Sequence, residues 1–175
     1  MTQAGGTAGE RYRRAQETGA VYAEGERAEI LDAGLVAAPV EVADALGLEA
    51  GARVVWRRRV TLRDDRPASV SASWFPAQVL DQCPRLLERQ RIREGTTRYV
   101  ELRTGRRPAR ARDVTAAREA APEESEALGL PGRATVSEVR HVVYDSEGEA
   151  LVYEVSVKPG GQVAESRAGN VEYEL

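Results

Sequence analysis

Residues 39–48 read PVEVADALGL and residues 122–130 read PEESEALGL, so Ala-Leu-Gly-Leu recurs at 45–48 and 127–130. Each copy opens on a proline followed within two residues by an acid, which suits a helix N-terminus. Each closes on a glycine suited to a helix C-cap. The segments beyond those glycines recur as well. Arg53–Arg63 runs through Asp64-Asp65-Arg66-Pro67 into Ala68–Phe75, and Thr135–Tyr144 runs through Asp145-Ser146-Glu147-Gly148 into Glu149–Val157. Both are β-branched-rich runs around a tight turn, the pattern of a hairpin. The chain thus holds two copies of helix, glycine, strand, turn and strand, about 82 residues apart. Agreement across helix and hairpin points to duplication or pseudo-symmetry.

Between the copies the pattern predicts a helix over 77–92, interrupted near Pro84, a shorter one near 97–104, and a strand over about 108–118. Ile30–Ala37 and Val163–Glu174 are candidate outer strands. Helices with antiparallel hairpins give an α+β fold, an antiparallel sheet with helices packed on one side. The 175 residues suffice for one domain with a sizeable core. Residues 1–11, MTQAGGTAGER, are small and polar and read as a disordered tail. Residues 12–28 read as a loosely docked lead-in, so 1–28 is expected to be flexible and 29–175 to form the domain.

The single cysteine, Cys83, excludes an intramolecular disulfide and suits a reducing, cytoplasmic setting. No run approaches the roughly 18 apolar residues of a membrane span, and residues 1–25 lack the apolar core of a signal peptide. Net charge is −3, yet Arg85–Arg118 holds eleven arginines against four acids. Such a block marks nucleic-acid or anion binding, or else a salt-bridged surface. Only Tyr99 interrupts it, which is too few aromatics for a single-strand binder. The chain has no Gly-x-Ser-x-Gly elbow, phosphate-binding loop, dinucleotide fingerprint or Cys-x-x-Cys, so neither an enzyme nor a cofactor is expected. Cys83 precedes a proline in an apolar patch and reads as a packing residue. His141, the only histidine, lacks metal-ligand spacing and reads as packing or hydrogen bonding.

A turn centred on Asp64–Arg66 pairs Thr61 with Ser69, Arg59 with Ser71 and Arg57 with Ser73, all on one face. The other face pairs Val60 with Val70, Arg58 with Ala72 and Trp56 with Trp74. The polar face is either solvent-facing, with core behind it, or a hydrogen-bonding floor for an anionic ligand. In the second hairpin, Val139, His141 and Val143 share a face with Val152, Glu154 and Ser156.

The order of these elements, from about Tyr12 to Leu175, resembles the UTRA domain, the effector-binding domain of the HutC branch of GntR transcription regulators, whose fold is that of chorismate lyase. Val55–Pro67, VWRRRVTLRDDRP, is similar to the family's arginine-bearing strand and turn, and Ala68–Pro76, ASVSASWFP, to its return strand. Gly95–Gly105, GTTRYVELRTG, resembles the short helix after a hydroxyl-rich turn, while Glu123–Gly132 and His141–Pro159 resemble the second helix and final hairpin. The resemblance implies a small, anionic effector, a sugar phosphate or a carboxylate, bound by a cytoplasmic homodimer. It places Arg59, Thr97 and Arg112 on the anion; Ser71, Ser73, Glu154 and Ser156 are expected to set selectivity, and Thr61 to line the same site. Thr61 stands where a second arginine is common, and Ser71 where glutamate is. DNA contact would run through a winged helix-turn-helix that is absent from these 175 residues. A chorismate lyase-like enzyme and a basic protein- or nucleic-acid-interaction module are the competing readings.

Overall fold

Strands β2 (Arg53–Arg63) and β3 (Arg66–Pro76) meet at Asp64 and Asp65, whose φ angles of 49° and 62° give the tight twisted turn of a hairpin. Their register pairs Thr61 with Ser69, Arg59 with Ser71 and Arg57 with Ser73, as the turn predicts. The second hairpin, β5 (Thr135–Asp145) and β6 (Ala150–Pro159), sets His141 against Glu154 and Val139 against Ser156. This computed structural model describes residues 7–160 and 169–175. Its sheet is antiparallel in the order β1-β2-β3-β6-β5-β4-β7, with β4 spanning Pro108–Glu119, so the two hairpins join side by side along β3 and β6. Strands β1 (Glu26–Ala37) and β7 (Gly169–Glu174) form the edges, where outer strands were expected; residues 163–168 of the second lie outside the described residues.

The repeat helices, α2 (Val40–Leu46) and α4 (Pro122–Leu128), lie on one face of the sheet. Val42, Ala43 and Leu46 pack on Val54, Val142 and Tyr153, and Leu128 packs on Val70, Val136 and Val157. Removing these side chains from water drives the contact, at roughly 1.5–3 kcal/mol for each fully buried aliphatic group. The opposite face is covered by the connection between the repeats. Val79, Cys83, Leu86 and Ile92, with Tyr99 and Val100 of α3 (Thr96–Thr104), pack on Val55, Phe75, Val143 and Val152. Cys83 is thus core, fully buried and unpaired.

Two segments differ from the sequence reading. The predicted helix over 77–92 is reduced to short 3-10 turns at Ala77–Asp81 and Pro84–Leu87. Arg57 explains why: its guanidinium takes the carbonyls of Arg85, Leu86, Glu88 and Gln90, acceptors that an α-helix needs for its own ladder. The second difference lies in the expected flexible lead-in. Residues Ala8–Thr18 form helix α1, started by a capping box in which Glu10 N–H donates to Thr7 Oγ1 and Thr7 N–H to Glu10 Oε2. Tyr12 and Ala15 of α1 are buried. Residues 1–6 of that expected tail lie outside the described residues.

Candidate functional site

The polar face of the first hairpin is not solvated. Arg57, Arg59, Ser71 and Ser73 are all at least nine-tenths buried, as is Glu154 across the seam on β6. Cross-strand register brings them together, because β3 pairs Ser71 with Ser156 and Ser73 with Glu154. Arg59 Nη2 donates to both Glu154 oxygens at 2.9 Å, Arg59 Nη1 to Ser73 Oγ at 3.1 Å, and Ser73 Oγ to Glu154 Oε2 at 3.0 Å. Arg11 of α1 reaches the same carboxylate at 2.7 Å. Burial alone drives the Glu154 carboxyl up, but the charges of Arg59 and Arg11 outweigh it and hold it at about 2. Burial also opposes the Arg59 charge, and Glu154 with Tyr22 overcomes it, raising the guanidinium above its ordinary value. Among the described residues Arg57 bonds carbonyls rather than a carboxylate; desolvation, then the Arg59 charge, outweighs nearby Glu88 and pulls it down to about 10.

Over this floor lies a partly open cleft that encloses about 50 Å³. Its far wall is the start of α3. Gly95, at φ +83°, supplies no side-chain cap, so the first N–H groups of the helix are left for a ligand or water. Thr96, Thr97 and Arg98 of that turn line the cleft. Val21, Ile30 and Ile92 give it an apolar side, and Ala8, Arg11 and Tyr12 of α1 roof it. Arg59 lines the cleft, and its Nε is buried without a hydrogen-bond partner among the described residues. Five arginines line the cleft against two glutamates. The arrangement suits an oxyanion: unpaired N–H donors and the positive end of a helix dipole inside a cationic recess.

Of the residues singled out from sequence, Arg59, Ser73 and Glu154 form one cluster, and Thr97 faces the cleft from α3. Ser71 and Ser156 bond to each other at 3.1 Å, buried one rung away and off the cleft lining. Thr61 is buried a further rung along the same face. Arg112 does not join them. It pairs with Val142, whose side chain packs under α2, so it projects from the opposite face. Its neighbours Ala111 and Asp113 take the cleft side of β4 instead. There Asp113 bonds Nδ1 of the buried His141 and accepts from Tyr173 OH at 3.1 Å.

The sequence reading missed Arg11, Tyr12, Tyr22 and the cleft role of Arg57. The one signal for Arg11 was Thr7-Ala8-Gly9-Glu10, a capping-box spacing read as tail. Much of the Arg85–Arg118 block is engaged internally. Arg89 pairs with Asp32, Arg98 with Glu101, Arg106 with Asp145, and Arg118 with Glu124 and Glu138.

A family model described as the UTRA domain matches residues 24–163. Among solved structures, the effector domain of PhnF from Mycobacterium smegmatis is 22% identical, with a TM-score of 0.68 over 86% of this chain and 88% of that one. The C-terminal domain of Yurk from Bacillus subtilis is 16% identical, with a TM-score of 0.68 over 76% and 89%. A GntR-family transcriptional regulator from Bacillus cereus is 18% identical, with a TM-score of 0.69 over 79% and 94%. No curated protein matches the chain.

Proposed function

Because this chain belongs to the UTRA domain family, we propose that it is the effector-sensing domain of a HutC-branch GntR regulator, and that the cleft beneath α1 receives a small anionic metabolite. The observation that carries this reading is that Arg59, whose Nε is buried without a hydrogen-bond partner among the described residues, lines the same cleft as the uncapped start of α3. An oxyanion there accepts from Arg59 Nε–H, from the first α3 amides and from the hydroxyls of Thr96 or Thr97. Ser73 and Glu154 hold the guanidinium in place, while Ser71, Ser156 and Thr61 shape the floor behind it. The apolar side built by Val21, Ile30 and Ile92 favours a ligand with a nonpolar body, a phosphate ester or carboxylate of modest size.

A sensing role is preferred over catalysis because the cleft's charged groups are locked together. Glu154 is kept ionised by two arginines, which leaves it unfit to trade protons near neutral pH. In a full regulator, occupancy would be read by a homodimer and passed to a separate DNA-binding domain in the cytoplasm.

The test is calorimetry of a panel of sugar phosphates, carboxylates and inorganic phosphate on wild type and Arg59→Lys. Lysine keeps a cation opposite Glu154 but removes the Nε–H donor. A charged hydrogen bond is worth about 1.5–3 kcal/mol, so affinity for the best anion should fall roughly 10- to 150-fold. Unchanged affinity in Arg59→Lys, or preference for neutral ligands over anions, would overturn the assignment.

A further inference from the structure

We propose that α1 is a strap latched by the bound anion, and that Arg11 is a ligand-contacting residue outside the matched family span of 24–163. This rests on the anion-site reading above. Arg11, Arg57 and Arg59 converge on the cleft, and the buried carboxylate bonded there to Arg11 and Arg59 is Glu154. Among the described residues, Glu154 and Glu94 line the cleft against five arginines, so positive charge remains in surplus where α1 roofs the floor. An anion at the first turn of α3 supplies a further counter-charge, and the Arg11 guanidinium then bridges it to Glu154.

The apolar hold on α1 is small: it buries Gly9, Tyr12 and Ala15, and polar and packing ties such as Tyr12 OH to Glu101 Oε2 at 2.8 Å and the packing of Gly9 and Arg13 on Tyr173 add to it. An 11-residue helix is marginal on its own, and a unit with so little apolar burial opens at low free energy. Polar contacts inside the cleft therefore set how often it is closed. A ligand that touches Arg11 only when α1 is docked shifts that population toward closure.

Hydrogen exchange followed by mass spectrometry on the 175-residue chain tests the strap, with inorganic phosphate as the probe. In wild type, phosphate should slow exchange over both 96–100 and 8–18. In Arg11→Gln it should slow 96–100 alone, and the phosphate Kd should rise roughly tenfold. Tyr12→Phe loosens α1 without touching its charge. Exchange over 8–18 should be faster without phosphate, yet phosphate should still slow it. Wild-type protection confined to 96–100 would overturn the strap and leave the anion site standing. Protection at neither segment would overturn the anion site, and the strap with it. Equal protection of 8–18 in Arg11→Gln would remove Arg11 from the ligand.

Discussion

Replacing Glu154 by glutamine keeps the shape of the side chain and deletes its charge. In wild type that carboxylate accepts both contacts from Arg59 Nη2, one from Arg11 and one from Ser73. Glutamine retains one acceptor oxygen and turns an NH₂ group toward donors. Arg59 and Arg57 stay buried, 8% and 2% exposed, with no bonded carboxylate between them. Removing one partner of a buried ion pair typically costs 3–5 kcal/mol, so Glu154→Gln should lose about 3–5 kcal/mol of stability. For a domain of this size that is a drop of roughly 6–20 °C in Tm, read by thermal melts at low ionic strength. Adding Arg59→Met should recover much of the loss, because the double variant leaves no orphaned charge at Arg59. Inorganic phosphate should raise the Tm of Glu154→Gln more than that of wild type. The lowered carboxyl sets the sign with pH. Its contribution is complete above the ordinary value near 4.5 and is lost as pH falls toward about 2, so the gap between wild type and Glu154→Gln should narrow across that window. A single variant as stable as wild type, or a double variant no better than the single, would refute this account of the cluster.

Gly95→Ala should cost about 1–3 kcal/mol in urea unfolding, since φ is +83° and the new Cβ meets Val21 Cγ2 at 3.0 Å. It should also weaken anion binding by re-aiming the first amides of α3, and an unchanged midpoint would count against the Gly95–Val21 contact. Light scattering should give twice the 19.1 kDa chain mass. Among the described residues no further strand pairs with either sheet edge, and β1 exposes Leu31 and Leu35. A monomer mass throughout a dilution series would dismiss the dimer.

The hairpin registers were legible because a short aspartate-rich turn sets the pairing of every rung after it. The faces were only half legible. Alternation showed that Arg57, Arg59, Ser71 and Ser73 point the same way, but not that the way was inward. What makes their burial tolerable is Glu154, 95 residues from Arg59 in sequence, and no local pattern carries a contact of that span. Arg112 was placed by resemblance alone, whereas its face depends on register: it pairs with Val142 on the α2 side of β4, a strand with an irregularity between Pro108 and Arg110. Helix α1 was hidden by its composition, since in AGERYRRAQET the stripe of Ala8, Tyr12 and Ala15 is narrow and sits among charged residues.

The seam between β3 and β6 has a consequence for how the molecule comes into being. Each hairpin closes over a few residues, whereas Ser73 and Glu154, which meet across the seam, are 81 residues apart. Local pairings form quickly and distant ones late. The two half-sheets can therefore be complete while the recess does not yet exist, and it appears only when they zip together. Competence to hold a ligand is in that sense a certificate of finished folding. A nascent or partly opened chain with both halves intact is blind to its signal.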